Sequence, residues 1–270
     1  MKMLDPNHKL PLRKQAALLD VPRSSFYYVP VINDDSEHAN LIRDVYLKSD
    51  CRYGYRKVTR ALQRDGEIIN GKKALRIMQK INIQGLSPKK FMCTSKQNRN
   101  NKVYPYLLEG MQISYVNQVW ATDITFIKMS KEFMYFTAIM DIYSRYIVAY
   151  ELSNNLDSSF CVFTLKKALL RGTPDIFNSD QGSQFTSEKF TTELKNAGVK
   201  ISMDHKGRCF DNIFVERLWR TVKQEAIYYY RPETIKDLER CLQKFVFWYN
   251  NHRLHQSLKY KPPAEVYFNE

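Results

Sequence analysis

The 270-residue sequence has no apolar run approaching the ~20 residues needed to cross a bilayer, and residues 1–30 lack a signal-peptide profile. No membrane partner is predicted. Its five cysteines, Cys51, Cys93, Cys161, Cys209 and Cys241, are odd in number, widely spaced and never form a CxxC pair. That pattern disfavours a disulfide scaffold and a zinc finger, and predicts a reducing, cytoplasmic setting. Acidic residues are in short supply: 28 Asp and Glu face 42 Lys and Arg, for a net charge of +14. Aromatic residues are not, because 18 Tyr, 15 Phe and 3 Trp supply the apolar surface of a folded core and argue against disorder. The length suits one large domain or two smaller ones.

The positive surplus is concentrated in residues 1–110. Cationic surface neutralises phosphates and releases counterions, so the asymmetry points to a nucleic-acid partner, although charge alone also fits a merely solvated face. Pattern therefore has to decide. Leu12, Ala16, Ala17 and Leu19 recur at near-helical spacing, Asp20-Val21-Pro22 breaks the run, and residues 23–28 begin a second short helix. Further helices are predicted near 37–48 and 55–64, and from Asn70 to about Ile81, with turns at Asp65-Gly66 and Asn70-Gly71. The last of these sets Lys72, Lys73, Arg76 and Lys80 beside apolar Ala74, Leu75, Ile77 and Met78, as in a helix that faces a DNA groove. An amphipathic helix whose lysines meet only water has the same pattern. Residues 66–73 imitate a P-loop, but Lys73 stands where a hydroxyl should bind magnesium and a helical pattern precedes it, so nucleotide binding is not expected. Residues 85–112 read as a basic linker.

From Gln118 the character changes. Strands are predicted at 119–127, 134–140, 146–152, 174–179 and 199–203, with helices at 158–170, 187–197 and 212–229, a mixed α/β order. Asp123 lies inside the first strand, Asp180 ends the fourth, and Glu216 sits one turn into the long helix, ~100° round from Val215 in the stripe of Val215, Leu218, Val222 and Ala226. A carboxylate inside an apolar strand is costly unless paired or bound to a metal, and magnesium is the oxygen-seeking ion expected there. Thirty-five residues separate Asp180 from Glu216. Asp157 and Glu193 share that gap, but Asp157 reads as a helix cap and Glu193 lies on a polar helix. Asp141, a rival first acid, reads as a hairpin-turn residue, and Asp211 as the cap of the long helix. His205 with Cys209, and His252 with His255, lack a second ligand pair and read as polar loop residues.

Several segments together resemble a known family. Ala121-Thr122-Asp123-Ile124-Thr125, Asp141-Ile142-Tyr143-Ser144-Arg145, Asn178-Ser179-Asp180-Gln181-Gly182-Ser183-Gln184-Phe185, Asp211-Asn212 with Glu216, Leu218 and Lys223, and Tyr249-Asn250-Asn251-His252-Arg253 resemble, in order and spacing, the integrase core of bacterial insertion-sequence transposases. These are the second-reading-frame kind related to retroviral integrases. The likeness covers about residues 110–268. Upstream, residues 53–58 and 72–78 resemble the helix-turn-helix-like segment that precedes this core.

The resemblance implies an RNase H-like α/β fold with an all-α, helix-turn-helix-like N-terminal region. The expected organisation is 1–84 DNA-binding, 85–112 linker, 113–230 catalytic core and 231–270 C-terminal helix and tail. It implies that Asp123, Asp180 and Glu216 hold two Mg2+ ions, with Mn2+ as a substitute, for cleavage at a DNA 3′ end and strand transfer. The alternatives are a nuclease that does not join strands and a catalytically silent DNA-binding regulator. Lys223, seven residues beyond Glu216 and so on nearly the same helix face, is expected to meet phosphate, as are Arg220, Arg56, Lys57, Lys72, Lys73 and Arg76. Lys206, Gly207 and Arg208 form a loop with the same potential. The implied partners are DNA as terminal inverted repeats and target, further copies of the chain on that DNA, and the product of an upstream frame fused to it. The implied location is the bacterial cytoplasm, at the nucleoid.

Overall fold

In the computed structural model, the described residues are 5–22, 27, 35–86, 104–129, 133–204 and 213–269. The short helix expected over 23–28 (Tyr27 apart), most of the basic linker, the loop of His205, Lys206, Gly207, Arg208 and Cys209, and the caps Asp211 and Asn212 lie outside them.

The N-terminal region is helical: α1 (Leu12–Leu18), α2 (Ser36–Lys48), α3 (Tyr55–Arg64) and α4 (Gly71–Lys80). Helix α4 starts where its sequence allows, because the Asn70 side chain accepts a hydrogen bond from the Lys73 amide at 2.8 Å and caps the first turn. Gly66, at φ +92°, takes the left-handed conformation that lets the chain leave α3. Ile42, Val45, Val58, Leu62, Ala74, Ile77 and Met78 are buried between α2, α3 and α4. The P-loop imitation is refuted structurally, since the helix α3 stands where a strand is required.

A five-stranded sheet follows, in the order β3-β2-β1-β4-β5. Strands β1 (Val119–Lys128), β2 (Phe133–Asp141) and β3 (Ile147–Ser153) are antiparallel, and β4 (Ile176–Ser179) and β5 (Lys200–Met203) continue from β1 in parallel. Helices α5 (Ser158–Leu169), α6 (Ser183–Thr186) and α7 (Glu188–Asn196) connect β3 to β5 through β4. The two sheet faces bury different sets, as strand alternation requires. Trp120, Phe177, Phe160, Leu165 and Phe190 form one core, while Val119, Ala121, Phe136 and Ile176 share the other with α8 (Ile213–Val222).

The single long helix expected over 212–229 is interrupted. After α8 the chain makes a π turn at Lys223–Ile227 and one further turn, α9 (Tyr228–Tyr230), ending at Arg231 with φ +48°. The predicted stripe survives, with Val215, Leu218, Val222 and Ala226 all buried. Helix α10 (Ile235–Asn251) opens on a capping box between Thr234 and Asp237 and buries Leu238, Leu242, Phe245, Trp248 and Tyr249. Asn250 from α10 closes the start of β3, accepting from the Ile147 amide at 2.9 Å and donating to its carbonyl at 3.0 Å. The last helix is α11 (Pro263–Tyr267). The α10 residues and the N-terminal helices belong to the same continuous core as the α8 face of the sheet.

Candidate active site

Strand register brings the two aspartates together. Ala121 of β1 lies opposite Asn178 of β4, and two residues further along each chain stand Asp123 and Asp180. Alternation then fixes the face of the first. Asp123 is in phase with Val119 and Ala121 and so points to the side covered by α8, the helix that carries Glu216, while Asp180 stands one residue beyond the end of β4.

The link to α8 is direct. The Trp219 indole, one turn beyond Glu216, donates to Asp123 Oδ2 at 2.9 Å and packs edge-on against Phe136 at 5.5 Å. The Ile124 amide donates to Asp123 Oδ1 at 2.7 Å. Burial pushes the Asp123 carboxyl up to about 7, and the negative charge of Asp180 and, less strongly, of Glu216 adds to the rise; the Trp219 and Ile124 hydrogen bonds oppose it. Burial also raises Asp180, against the Gly182 amide that donates to its Oδ1 at 2.9 Å, and raises Glu216. Gly182 packs closely, since a Cβ there would stand 2.9 Å from Asp180 Oδ1 and displace that carboxylate. Among the described residues no three His, Cys, Asp or Glu side chains gather tightly enough to hold one ion. The three carboxylates are therefore coupled through their charges rather than closed into a ready-made cage.

The competing acids are accounted for. Asp141 is fully buried and organises the turn after β2, its oxygens accepting from the Ser144 amide and hydroxyl and from the Asn117 amide. Asp157 caps α5 by accepting from the Ser159 amide, and Glu193 pairs with Lys166 at 2.9 Å.

The cations expected to meet DNA are not equivalent. Arg56, Lys72 and Arg220 are exposed. Arg76 makes a two-pronged pair with buried Asp35 at 2.8 and 3.0 Å, and its guanidinium holds the Asp35 carboxyl below the usual range. Lys73 reaches His38 at 3.4 Å. Lys57 is half-buried over the Tyr53 ring at 5.1 Å. Lys223 opens the π turn. His255, read from sequence as a polar loop residue, instead packs edge-on to Tyr249 at 4.9 Å, and burial pushes its imidazole down to about 2.

An integrase core domain model matches residues 114–209, a second integrase core model matches 197–263, and an HTH-like domain model matches 33–91. The putative transposase InsK of insertion sequence element IS150 from Escherichia coli K12 is 28% identical over 275 residues, covering 98% of this chain and 96% of that protein. An uncharacterized transposase-like protein from Haemophilus influenzae is 31% identical over 199 residues, 73% of this chain and 92% of that one. The chain belongs to the insertion-sequence transposase family. In fold, this transposase-family chain is also similar to a chain of the simian T-cell lymphotropic virus intasome solved with the PP2A regulatory subunit B56 gamma. That match has TM-score 0.51 and 17% identity, over 84% of this chain and 74% of the other. The RNase H-like integrase core and the helix-turn-helix-like N-terminal region expected from sequence are thus both present, and the family carries out DNA transposition.

Sequence reasoning missed the supports of this transposase core. Trp219 was legible only as a buried tryptophan three residues after Glu216, whose N–H needs an acceptor. Asn178 and Gln181 donate to the Asp204 carboxylate and carbonyl, each at 2.8 Å, and tie the loop carrying Asp180 to the end of β5. Arg145, at φ +65°, lays its guanidinium over Phe214 at 3.8 Å and so steadies the first turn of α8. Among the described residues Cys51, Cys161 and Cys241 are free thiols, and no helix is long and apolar enough to cross a membrane.

Proposed function

We propose that the chain cuts DNA at the 3′ ends of an insertion sequence and joins those ends to target DNA, with Asp123, Asp180 and Glu216 as the catalytic carboxylates. The observation that carries this reading is the hydrogen bond from Trp219 of α8 to Asp123, with the charges of Asp180 and Glu216 both acting on Asp123. The donor set suits two Mg2+ or Mn2+ ions in its chemistry: Asp123, Asp180 and Glu216 are hard oxygen ligands, and each Asp123 oxygen carries one hydrogen bond and keeps a second lone pair. When bound, such ions lower the pKa of an attacking water or 3′-hydroxyl and stabilise the leaving oxygen, so hydrolysis and strand transfer differ only in the nucleophile.

The chain's own side chains do the rest. Trp219 and the Ile124 amide fix the orientation of the Asp123 carboxylate, and the Gly182 amide fixes that of Asp180. Lys223 and Arg220 hold phosphate beside the site. Arg56 and Lys72 meet DNA from exposed faces of α3 and α4, Lys73 and Arg76 join them after giving up the pairs they make here, and Lys57 acts on phosphate by its charge from its half-buried place. The division at 84, 112 and 230 follows these roles. DNA-bound copies assemble into an oligomer, an upstream-frame fusion aids targeting, and the site of action is the bacterial cytoplasm at the nucleoid.

Labelled element ends incubated with Mg2+ test the reading: joined products support it, cleavage alone favours a nuclease, and binding alone favours a regulator. Asp180→Asn should abolish cutting and joining while leaving DNA binding intact. Strand joining by that variant sinks the site assignment.

A further inference from the structure

Three segments that the carboxylate site leaves unused converge on one residue: 52–57, the π turn after α8, and 248–255. Glu225, in the π turn, accepts from Arg253 Nη2 at 2.7 Å and Nε at 2.8 Å, with side-chain exposures of 17% and 13%. Its backbone carbonyl accepts from Arg52 Nε at 3.0 Å. Arg52 is 7% exposed, lies over the Trp248 ring at 4.2 Å and donates to the Tyr230 hydroxyl at 2.8 Å. Next to it, Tyr53 donates its hydroxyl to the His252 carbonyl at 2.9 Å and accepts from the Leu254 amide at 3.0 Å. Lys57 completes the group; burial and the Arg253 charge bring its ammonium down to about 8. Burial works against an ionised Glu225, yet Arg253, Lys57 and Arg52 outweigh it and hold that carboxyl below the usual range.

Glu225 thus meets Arg253 through its carboxylate, Lys57 through its charge and Arg52 through its backbone carbonyl, while the Arg52 guanidinium also pairs with Asp50 at 3.1 Å. Removing a single member of such a group leaves buried charge uncompensated, so the arrangement resists sliding or rotation. Glu225 also stands on the same run of helix as Glu216, nine residues on. Whatever fixes Glu225 therefore fixes the rotation and height of α8. The helix α3, with exposed Arg56, is attached through Arg52 and Lys57 at that same point.

We propose that Glu225 is a positioning residue that sets the distance between the DNA-contacting helices and the carboxylates, and so selects which phosphate is cut. This rests on the catalytic reading above. The test uses the full chain and an end-labelled linear duplex bearing the inverted repeats that flank its reading frame, with Mg2+ and cut positions mapped to the nucleotide. Wild type is expected to cut at one phosphate. Glu225→Gln, and Arg253→Lys, which keeps the charge but loses the two-pronged pair, should bind the duplex as wild type does yet scatter cuts over neighbouring phosphates. Glu225→Asp should recover the single position. A loss of yield at an unchanged phosphate in both variants reduces Glu225 to a structural support and overturns the proposal. Amide hydrogen exchange judges the coupling without any catalysis: Glu225→Gln should speed exchange in residues 52–58 and 249–255 relative to β1 and β2. Unchanged exchange there overturns the proposal even when wild type cuts normally, whereas faster exchange in a wild-type background that never cuts leaves the coupling standing and removes the catalytic reading instead.

Discussion

Asp123 is the residue whose surroundings are most closely defined, by the Trp219 and Ile124 hydrogen bonds to its two oxygens. A carboxylate in a strand of Val119, Trp120, Ala121 and Ile124 has to be held by something, and burial is the largest of the causes that raise its pKa. Trp219 could not be assigned that task from its position in the chain, because spacing on a helix says which residues share a face but not what stands opposite. His255 makes the same point with a measurable consequence. Burial beside Arg253, Lys57 and Arg145 pushes its imidazole down to about 2 from an ordinary value of 6.5. A group depressed on folding stabilises the native state above its unfolded pKa and withdraws that contribution as pH falls towards the folded one. Unfolding of the wild type by urea should therefore become easier as pH drops below 6.5, and His255→Gln should flatten that dependence. An unchanged pH slope in the variant would mean that His255 is not held neutral.

At the scale of elements, most helices and strands were readable from period and turn chemistry. The helices α2, α3 and α4 and all five strands appear where apolar spacing places them, since amphipathic period and caps are local properties. Asn70 illustrates how local. Asn70→Ala removes the side chain that caps α4 and should cost about 1 kcal/mol, lowering Tm by about 2–4 °C in the full chain. Thermal unfolding checks it, and no shift would mean that α4 draws its start from packing alone. The π turn was not readable. Lys223–Ile227 has no sequence mark of its own; at this turn Glu225 meets Arg253 with its carboxylate and Arg52 with its carbonyl, both distant in the chain.

For the molecule as a whole, a net charge of +14 predicts binding to DNA that weakens linearly in log–log form as salt rises. Lys72→Ala and Arg56→Ala, at exposed positions, should each reduce that slope by about one. Equilibrium titrations at several salt concentrations measure it, and slopes unmoved by either change would place the DNA path elsewhere. Composition, period and motif spacing determined by themselves the mixed α/β class and the helical basic region, because those depend on residue type and on intervals along the chain. Only the tertiary structure decided that Asp180 stands near enough for its charge to act on Asp123, that Trp219 orients Asp123, and that Lys57 and Arg253 turn inward to a ring and a carboxylate while exposed Arg76 pairs with Asp35. Such pairings join residues many tens of positions apart, and their energies arise from burial and charge proximity that exist only once the chain has closed on itself.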